Sequence, residues 1–162
     1  MRKLFSRRAT NTETAFALEN LEPRIVLDGT PGDAANPVVE INTDFGNIYI
    51  ELFPDVAPAT VDNFLGYVER GDYDATFFHR HVQGFVLQGG GWTYDQNRTP
   101  RTEHIEQQDP VVNEYDLSNL EWTVAMAKLG GDPDSATSEW FINLANNSQN
   151  LDNQHGGFTV FG

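Results

Sequence analysis

Phe77-Phe78-His79-Arg80-His81-Val82-Gln83-Gly84-Phe85-Val86-Leu87-Gln88-Gly89-Gly90-Gly91 is the stretch that decides how this chain is read. Between Arg80 and Gln88 it sets one cation, one amide and two apolar side chains, Phe85 and Val86. Gly84 and the triple glycine let the backbone turn sharply on either side. Two short strands can therefore present Arg80, Phe85 and Gln88 to one patch. A second apolar set, Phe141 and Leu151, lies further along the chain.

Upstream, Val38–Thr43 and Ile48–Leu52 read as two strands, with turn chemistry at Thr43-Asp44-Phe45-Gly46-Asn47, where Gly46 and Asn47 tolerate positive φ. A helix follows. Pro58 suits its first turn, Val61, Phe64, Leu65 and Val68 make one apolar stripe, and Gly71 is a C-cap. Further short apolar runs recur at Thr76–Phe78, Phe85–Gln88, Trp122–Ala127, Trp140–Leu144 and Phe158–Phe161. Many short strands with few helices predict a mainly β barrel or sandwich.

The chain has 162 residues and no cysteine, so disulfide and thiolate chemistry are excluded. Five of its ten basic residues lie in the first 24 positions, and the remainder carries five basic against twenty-one acidic residues. Such an acidic body is repelled by phosphate backbones, which argues against nucleic-acid binding. No run approaches the ~20 apolar residues of a membrane span. Residues 1–36 read as a disordered leader or linker, polar and ending in a Gly/Pro/Asp/Asn-rich stretch, ahead of a domain over 37–162.

Several motifs now agree. Phe78-His79-Arg80, Gly84-Phe85 and Gln88-Gly89-Gly90 are followed by Val124-Ala125-Met126-Ala127, Asp134-Ser135-Ala136-Thr137-Ser138, Phe141-Ile142-Asn143, Leu151-Asp152 and Val160-Phe161-Gly162. In content and order they resemble the cyclophilin family of peptidyl-prolyl cis/trans isomerases, over Val38 to Gly162, with the closest likeness to compact bacterial members. Leu21-Glu22-Pro23-Arg24 resembles the short leader motif of some exported or surface bacterial proteins, which favours an exported location.

The resemblance implies a closed, eight-stranded antiparallel barrel capped by helices, with the active groove on its outer surface. It implies catalysis of rotation about Xaa–Pro bonds, assisting protein folding, with no cofactor and no metal. The partners are proline-containing polypeptides, met by a monomeric domain. A proline-binding module without turnover, part of a larger surface protein, is the alternative.

On this reading Arg80 is the catalytic cation, and Gln88 orients it or bonds the substrate backbone. His79 accompanies them or serves the loop. Phe85, Val86, Phe141 and Leu151 line the proline pocket, although Phe85 and Phe141 also read as core. Val82 borders the groove, Ala127 and Lys128 meet substrate backbone, and Phe158 stands near the pocket where some members have histidine. His79 and His81 share a strand face but lack a third ligand at metal spacing.

Four departures stand out. Glu139 replaces a usual glutamine, and an anion there is expected to pair with Arg80 at the substrate groove. Glu121-Trp122 replaces a usual Arg-Gly. Asn150 replaces a tryptophan that contacts cyclosporin in many eukaryotic members, so weak cyclosporin binding is expected. The family continues beyond Val160-Phe161-Gly162 through a strand, a helix and a final strand, so the barrel is expected to be incomplete at its C-terminus.

Overall fold

Val38–Thr43 and Gly46–Glu51 pair antiparallel as β2 and β3, in register from Val38 with Glu51 to Thr43 with Gly46. The computed structural model describes residues 22–26 and 36–162. Alternation sends Val39, Ile41 and Ile50 into the core. Only Asp44 and Phe45 lie between the paired residues, so β3 starts two residues earlier than the sequence predicts. Gly46 takes φ 127°, and Asn47 sits in the ladder opposite Asn42.

The outer edge of β2 is paired as well. Glu22–Val26, placed by the sequence in a disordered leader, forms strand β1 in antiparallel register with Val38–Asn42. Arg24-Ile25-Val26 ends in two β-branched residues, a composition that suits an edge strand. The rest of the leader up to residue 35, including Leu21 of its motif, lies outside the described residues.

Helix α1 spans Pro58–Arg70 and stops at Gly71, whose φ of 73° is the left-handed cap expected from sequence. Val61, Phe64 and Val68 are buried as predicted, together with Tyr67, while Leu65 is half-buried against the same core. The Ala57 side chain offers no cap. Glu114, far along the chain, supplies one. Its carboxylate accepts from the Ala59 and Thr60 amides at 3.1 and 2.8 Å and from the Thr60 hydroxyl at 2.8 Å. A negative group there also complements the positive end of the helix dipole.

The sheet that carries the groove has the order β4 (Arg80–Val82), β5 (Val86–Gly89), β9 (Trp140–Asn143), β8 (Val124–Met126), all antiparallel. Between β5 and β8 in sequence, β6 (Trp92–Tyr94) and β7 (Thr102–His104) form a two-stranded hairpin. After β9 comes the short helix α2, Ser148–Leu151.

The two faces of the four-stranded sheet bury different things. One face turns Leu87, Val124, Met126, Trp140 and Ile142 toward the main core, with Phe64, Tyr73 and Phe161. Phe64 meets Trp140 edge-on at 6.0 Å and Phe161 at 5.0 Å. The other face turns Val86, Ala125 and Phe141 into a smaller cluster with Leu151 and Val160. One core thus fixes the sheet, and a second apolar layer on its outer side is free to serve a groove.

The described strands fall into three sheets, laced together by shorter contacts. Thr76–Phe78, expected as a strand, makes one bridge, Thr76 to Thr93. Phe158–Phe161 likewise makes one bridge, Ala125 to Val160. Its backbone divides its hydrogen bonds between two neighbours: Phe161 donates to Val124 at 2.9 Å and accepts from Phe53 at 2.8 Å. The stretch thereby ties β8 to the segment that follows β3. The mainly β composition with few helices matches the sequence reading.

Trp122 enters β8 with φ 70° and is 71 % exposed. The left-handed conformation costs a residue with a Cβ about 1 kcal/mol or more, which explains the glycine expected at this position. Trp122→Gly is therefore expected to raise stability by about 1 kcal/mol in urea unfolding. An unchanged or lower midpoint would contradict this.

Candidate active site

Register places the site. Arg80 lies opposite Gln88, Gln88 opposite Phe141, and Phe141 opposite Ala125. These four residues form one rung across four strands. Cross-strand partners project from the same face of a sheet, so cation, amide and aromatic ring share the outer face. Two residues along β5, Val86 falls on that face again, and Leu87 between them points to the core.

Along this rung runs a groove of about 250 Å³. Its polar wall is Arg80 and Gln88, and its apolar wall is Phe85, Val86, Phe141, Leu151 and Phe158. Ala127 and Lys128 close one side. All nine are sequence-predicted site residues. Gln154, the tenth lining residue, was not predicted. It lies in an exposed loop with no motif to mark it.

The Arg80 guanidinium donates to Gln88 Oε1 at 3.2 Å and stands 6.0 Å from the Phe85 ring centre. The floor is dry: Val86, Phe141 and Leu151 are each 5 % exposed or less. Phe158 meets Phe141 edge-on at 5.9 Å. A small apolar ring can thus be received beneath a fixed, charged donor.

Three predicted residues lie elsewhere. Val82 is exposed on β4 and does not line the groove. His79 does not line the groove; its Nε2 lies 3.4 Å from Glu139 Oε2, and its Nδ1 is buried with no partner among the described residues. Glu139 lines a neighbouring cleft of about 420 Å³ that also touches Gln88 and Lys128. The expected ion pair of Glu139 with Arg80 is not formed. Gln88 stands between them, donating through Nε2 to Glu139 Oε2 at 2.6 Å. The carboxylate is taken up by His79, Gln88 and His104.

Lys128 also differs from expectation. Its ammonium donates to the carbonyls of His155, at 2.9 Å, and Gly157, and lies 4.9 Å from the Phe158 ring centre. Its charge is engaged in holding the 155–158 loop. Burial lowers its pKa, opposed by the nearby Asp134 and Asp132 carboxylates. Asn150 is exposed on α2, where it accepts from Gln154.

A buried polar network holds the rim. Asn147 donates to the Phe85 carbonyl at 2.9 Å and to Asn143 Oδ1 at 2.8 Å. Asn119 donates to Asp152 and to the Phe158 carbonyl, each at 3.0 Å. Asn143 in turn donates to Thr123 Oγ1 at 3.0 Å. These amides are buried and satisfied, which specifies a single arrangement of the loops they join.

The model of the family "Cyclophilin type peptidyl-prolyl cis-trans isomerase/CLD" matches residues 38–162. The chain belongs to the cyclophilin family. It is 46 % identical over 112 residues to peptidyl-prolyl cis-trans isomerase cyp18 of Streptomyces antibioticus, covering 68 % of this chain and 63 % of that protein. It is 41 % identical over 131 residues to a peptidyl-prolyl cis-trans isomerase of Acinetobacter baylyi, covering 79 % and 66 %. Among solved structures, a Cryptosporidium parvum cyclophilin crystallised in the presence of the dipeptide Ala-Pro superposes with a TM-score of 0.60 at 27 % identity, covering 77 % of this chain and 76 % of that one. The chain spans just under two thirds of the length of these curated relatives.

Within this cyclophilin domain, Glu139 is the carboxyl at the site whose titration its surroundings shift. The His79 contact holds its pKa below the ordinary 4.5, against the raising effect of burial, with help from the His79 charge and from Gln88 and His104. A carboxyl with a lowered native pKa stabilises the fold above its unfolded pKa, and that contribution is lost as pH falls through the native value. The part of the stability gap between wild type and Glu139→Gln that Glu139 ionisation supplies should therefore be present above the ordinary 4.5 and be lost in acid below it. Denaturant unfolding at a series of pH values checks this; a pH-independent gap would contradict it.

Proposed function

We propose that this chain is a peptidyl-prolyl cis/trans isomerase acting on Xaa–Pro bonds in extended polypeptides. The observation that carries the reading is the rung itself: a guanidinium, tied down by Gln88, at the mouth of an apolar pocket floored by Phe141 and Leu151.

The chemistry asks for little else. Amide resonance sets a barrier of ~18–20 kcal/mol to rotation, so uncatalysed exchange takes roughly tens of seconds or longer. No bond is made or broken, and no nucleophile is required. Catalysis consists of binding the twisted amide more tightly than either planar form. When the amide twists, the prolyl nitrogen regains its lone pair and becomes a hydrogen-bond acceptor. A permanently charged, planar donor already fixed in place stabilises that state without reorganising.

The pocket supplies the other half. Phe85, Phe141, Leu151 and Phe158 receive the pyrrolidine ring and hold it while the acyl side of the bond rotates. Ala127, at the groove edge, stands where an extended backbone passes. The isomerase unit is residues 37–162, working as a monomeric domain on proline-containing chains. The net charge of −14 supports protein rather than nucleic-acid partners.

The test is cis/trans exchange on a short Xaa–Pro peptide, comparing wild type with Arg80→Ala, both shown by circular dichroism to be folded. Loss of one preorganised donor is expected to lower kcat/KM by about a hundredfold or more. A folded wild type that binds the peptide without accelerating exchange would replace this reading with that of a proline-binding module.

A further inference from the structure

Glu139 stands where three elements meet. Its Oε2 accepts from Gln88 of β5 at 2.6 Å and lies 3.4 Å from His79 Nε2, just before β4. Its Oε1 lies 3.2 Å from Nε2 of His104, the last residue of β7. Gly91 makes the room, because a Cβ there would overlap the Glu139 carboxylate. The side chain is thus packed in place, with under a quarter of its surface exposed.

The hydrogen-bond directions follow from what each group is able to do. A carboxylate only accepts and a guanidinium only donates. Gln88 lies between the two, so just one orientation of its amide satisfies both: NH2 toward Glu139, Oε1 toward Arg80. A glutamine at 139 carries donor and acceptor alike and can meet either face of the Gln88 amide, which leaves Arg80 as the one neighbour selecting the flip. His104 braces the other carboxylate oxygen. Its Nδ1 faces the Ile105 carbonyl at 2.9 Å, and its ring packs edge-on against Trp92 at 4.8 Å. Both ring nitrogens face acceptors.

We propose that Glu139 is a positioning residue of the isomerase site. Braced by His104 and His79, its charge locks the Gln88 amide in the orientation that holds the Arg80 guanidinium at the pocket, and its protonation releases that lock in acid. The inference rests on the isomerase reading and adds to it a residue that touches no substrate, together with an electrostatic support on β7.

The groups facing Glu139 set the direction of the pH effect. His79, Gln88 and His104 approach it directly, and Arg80 lies behind Gln88. From the far side of the cleft come Lys128, Asp132 and Asp134. The donors keep the carboxyl ionised into mild acid, so the acid limb of activity belongs below the ordinary glutamate range. Removing the His104 donor moves that limb toward neutral pH.

The experiment measures kcat and KM for a neutral Xaa–Pro peptide between about pH 3 and pH 8. The proteins are wild type, Glu139→Ala, Glu139→Gln, His104→Gln and Arg80→Ala, with near-UV circular dichroism at each pH to confirm folding. At neutral pH Glu139→Ala is expected to lower kcat about tenfold while KM stays within about twofold. Glu139→Gln should recover part of kcat and show no acid limb, and His104→Gln should show the limb at higher pH. Should Glu139→Ala not fold, the near-isosteric Glu139→Gln and His104→Gln profiles decide alone. Turnover that needs Arg80 while the Glu139 and His104 variants retain the wild-type profile overturns the positioning role and leaves the isomerase reading standing. Absence of any Arg80-dependent turnover in wild type overturns both.

Discussion

The antiparallel register of four short strands is the constraint on which the site depends. It sets Arg80, Gln88, Phe141 and Ala125 in a single rung. Because side chains alternate, a slip of one residue in β5 would turn Gln88 into the core and bring Leu87 to the surface. The main core forbids that slip. Leu87, Trp140, Ile142 and Met126 are held on the inner face by Phe64 and Phe161, which come from α1 and the C-terminal stretch. The burial of one face thereby fixes the chemistry of the other.

The glycines after Gln88 serve the same end. A Cβ at Gly90 would stand 2.6 Å from the Ser138 carbonyl and the Trp140 indole, and Gly90 takes φ 77°. The chain leaving β5 therefore runs tightly against the residues that enter β9. That close approach lets Glu139 reach Gln88. Around the rim, the Asn119, Asn143 and Asn147 amides tie the Phe85 and Phe158 carbonyls to the sheet. The loops of the groove are thus bonded to the strands, an arrangement that suits the preorganised site proposed above.

Much of this was legible in the sequence. β2 matches its predicted bounds, α1 carries its Pro at the start and Gly71 at the end, and nine predicted site residues line one groove. Local signals were sufficient for the strands, the helix and the Arg80–Gln88 patch: alternation, a 3.6-residue stripe, and glycines flanking a short polar pair; Ala127, Lys128 and Phe158 followed from the family resemblance alone. What escaped was long-range. Glu114 capping a helix 54 residues away, His104 bracing Glu139 across 35, and Lys128 strapping the 155–157 carbonyls leave no local pattern. The Glu139 pairing was misplaced for a related reason. Charge alone suggested Arg80, but the rung inserts Gln88 between them, and the neighbouring histidines take up the anion. The strand at Glu22–Val26 was missed because its partner edge exists only once β2 has folded.

The central claim is that this rung binds the Xaa–Pro unit, ring in the pocket and amide beneath Arg80. It is tested most directly by an NMR titration of the labelled protein with an unlabelled Xaa–Pro peptide, following methyl, aromatic and guanidinium signals. The account predicts that the largest shifts, with peptide contacts to the Phe141, Leu151 and Phe158 side chains and to the Arg80 Nε–H, map to this groove. Shifts that cluster on the opposite side of the molecule, with the Arg80 and Phe141 signals unmoved at saturation, would contradict it.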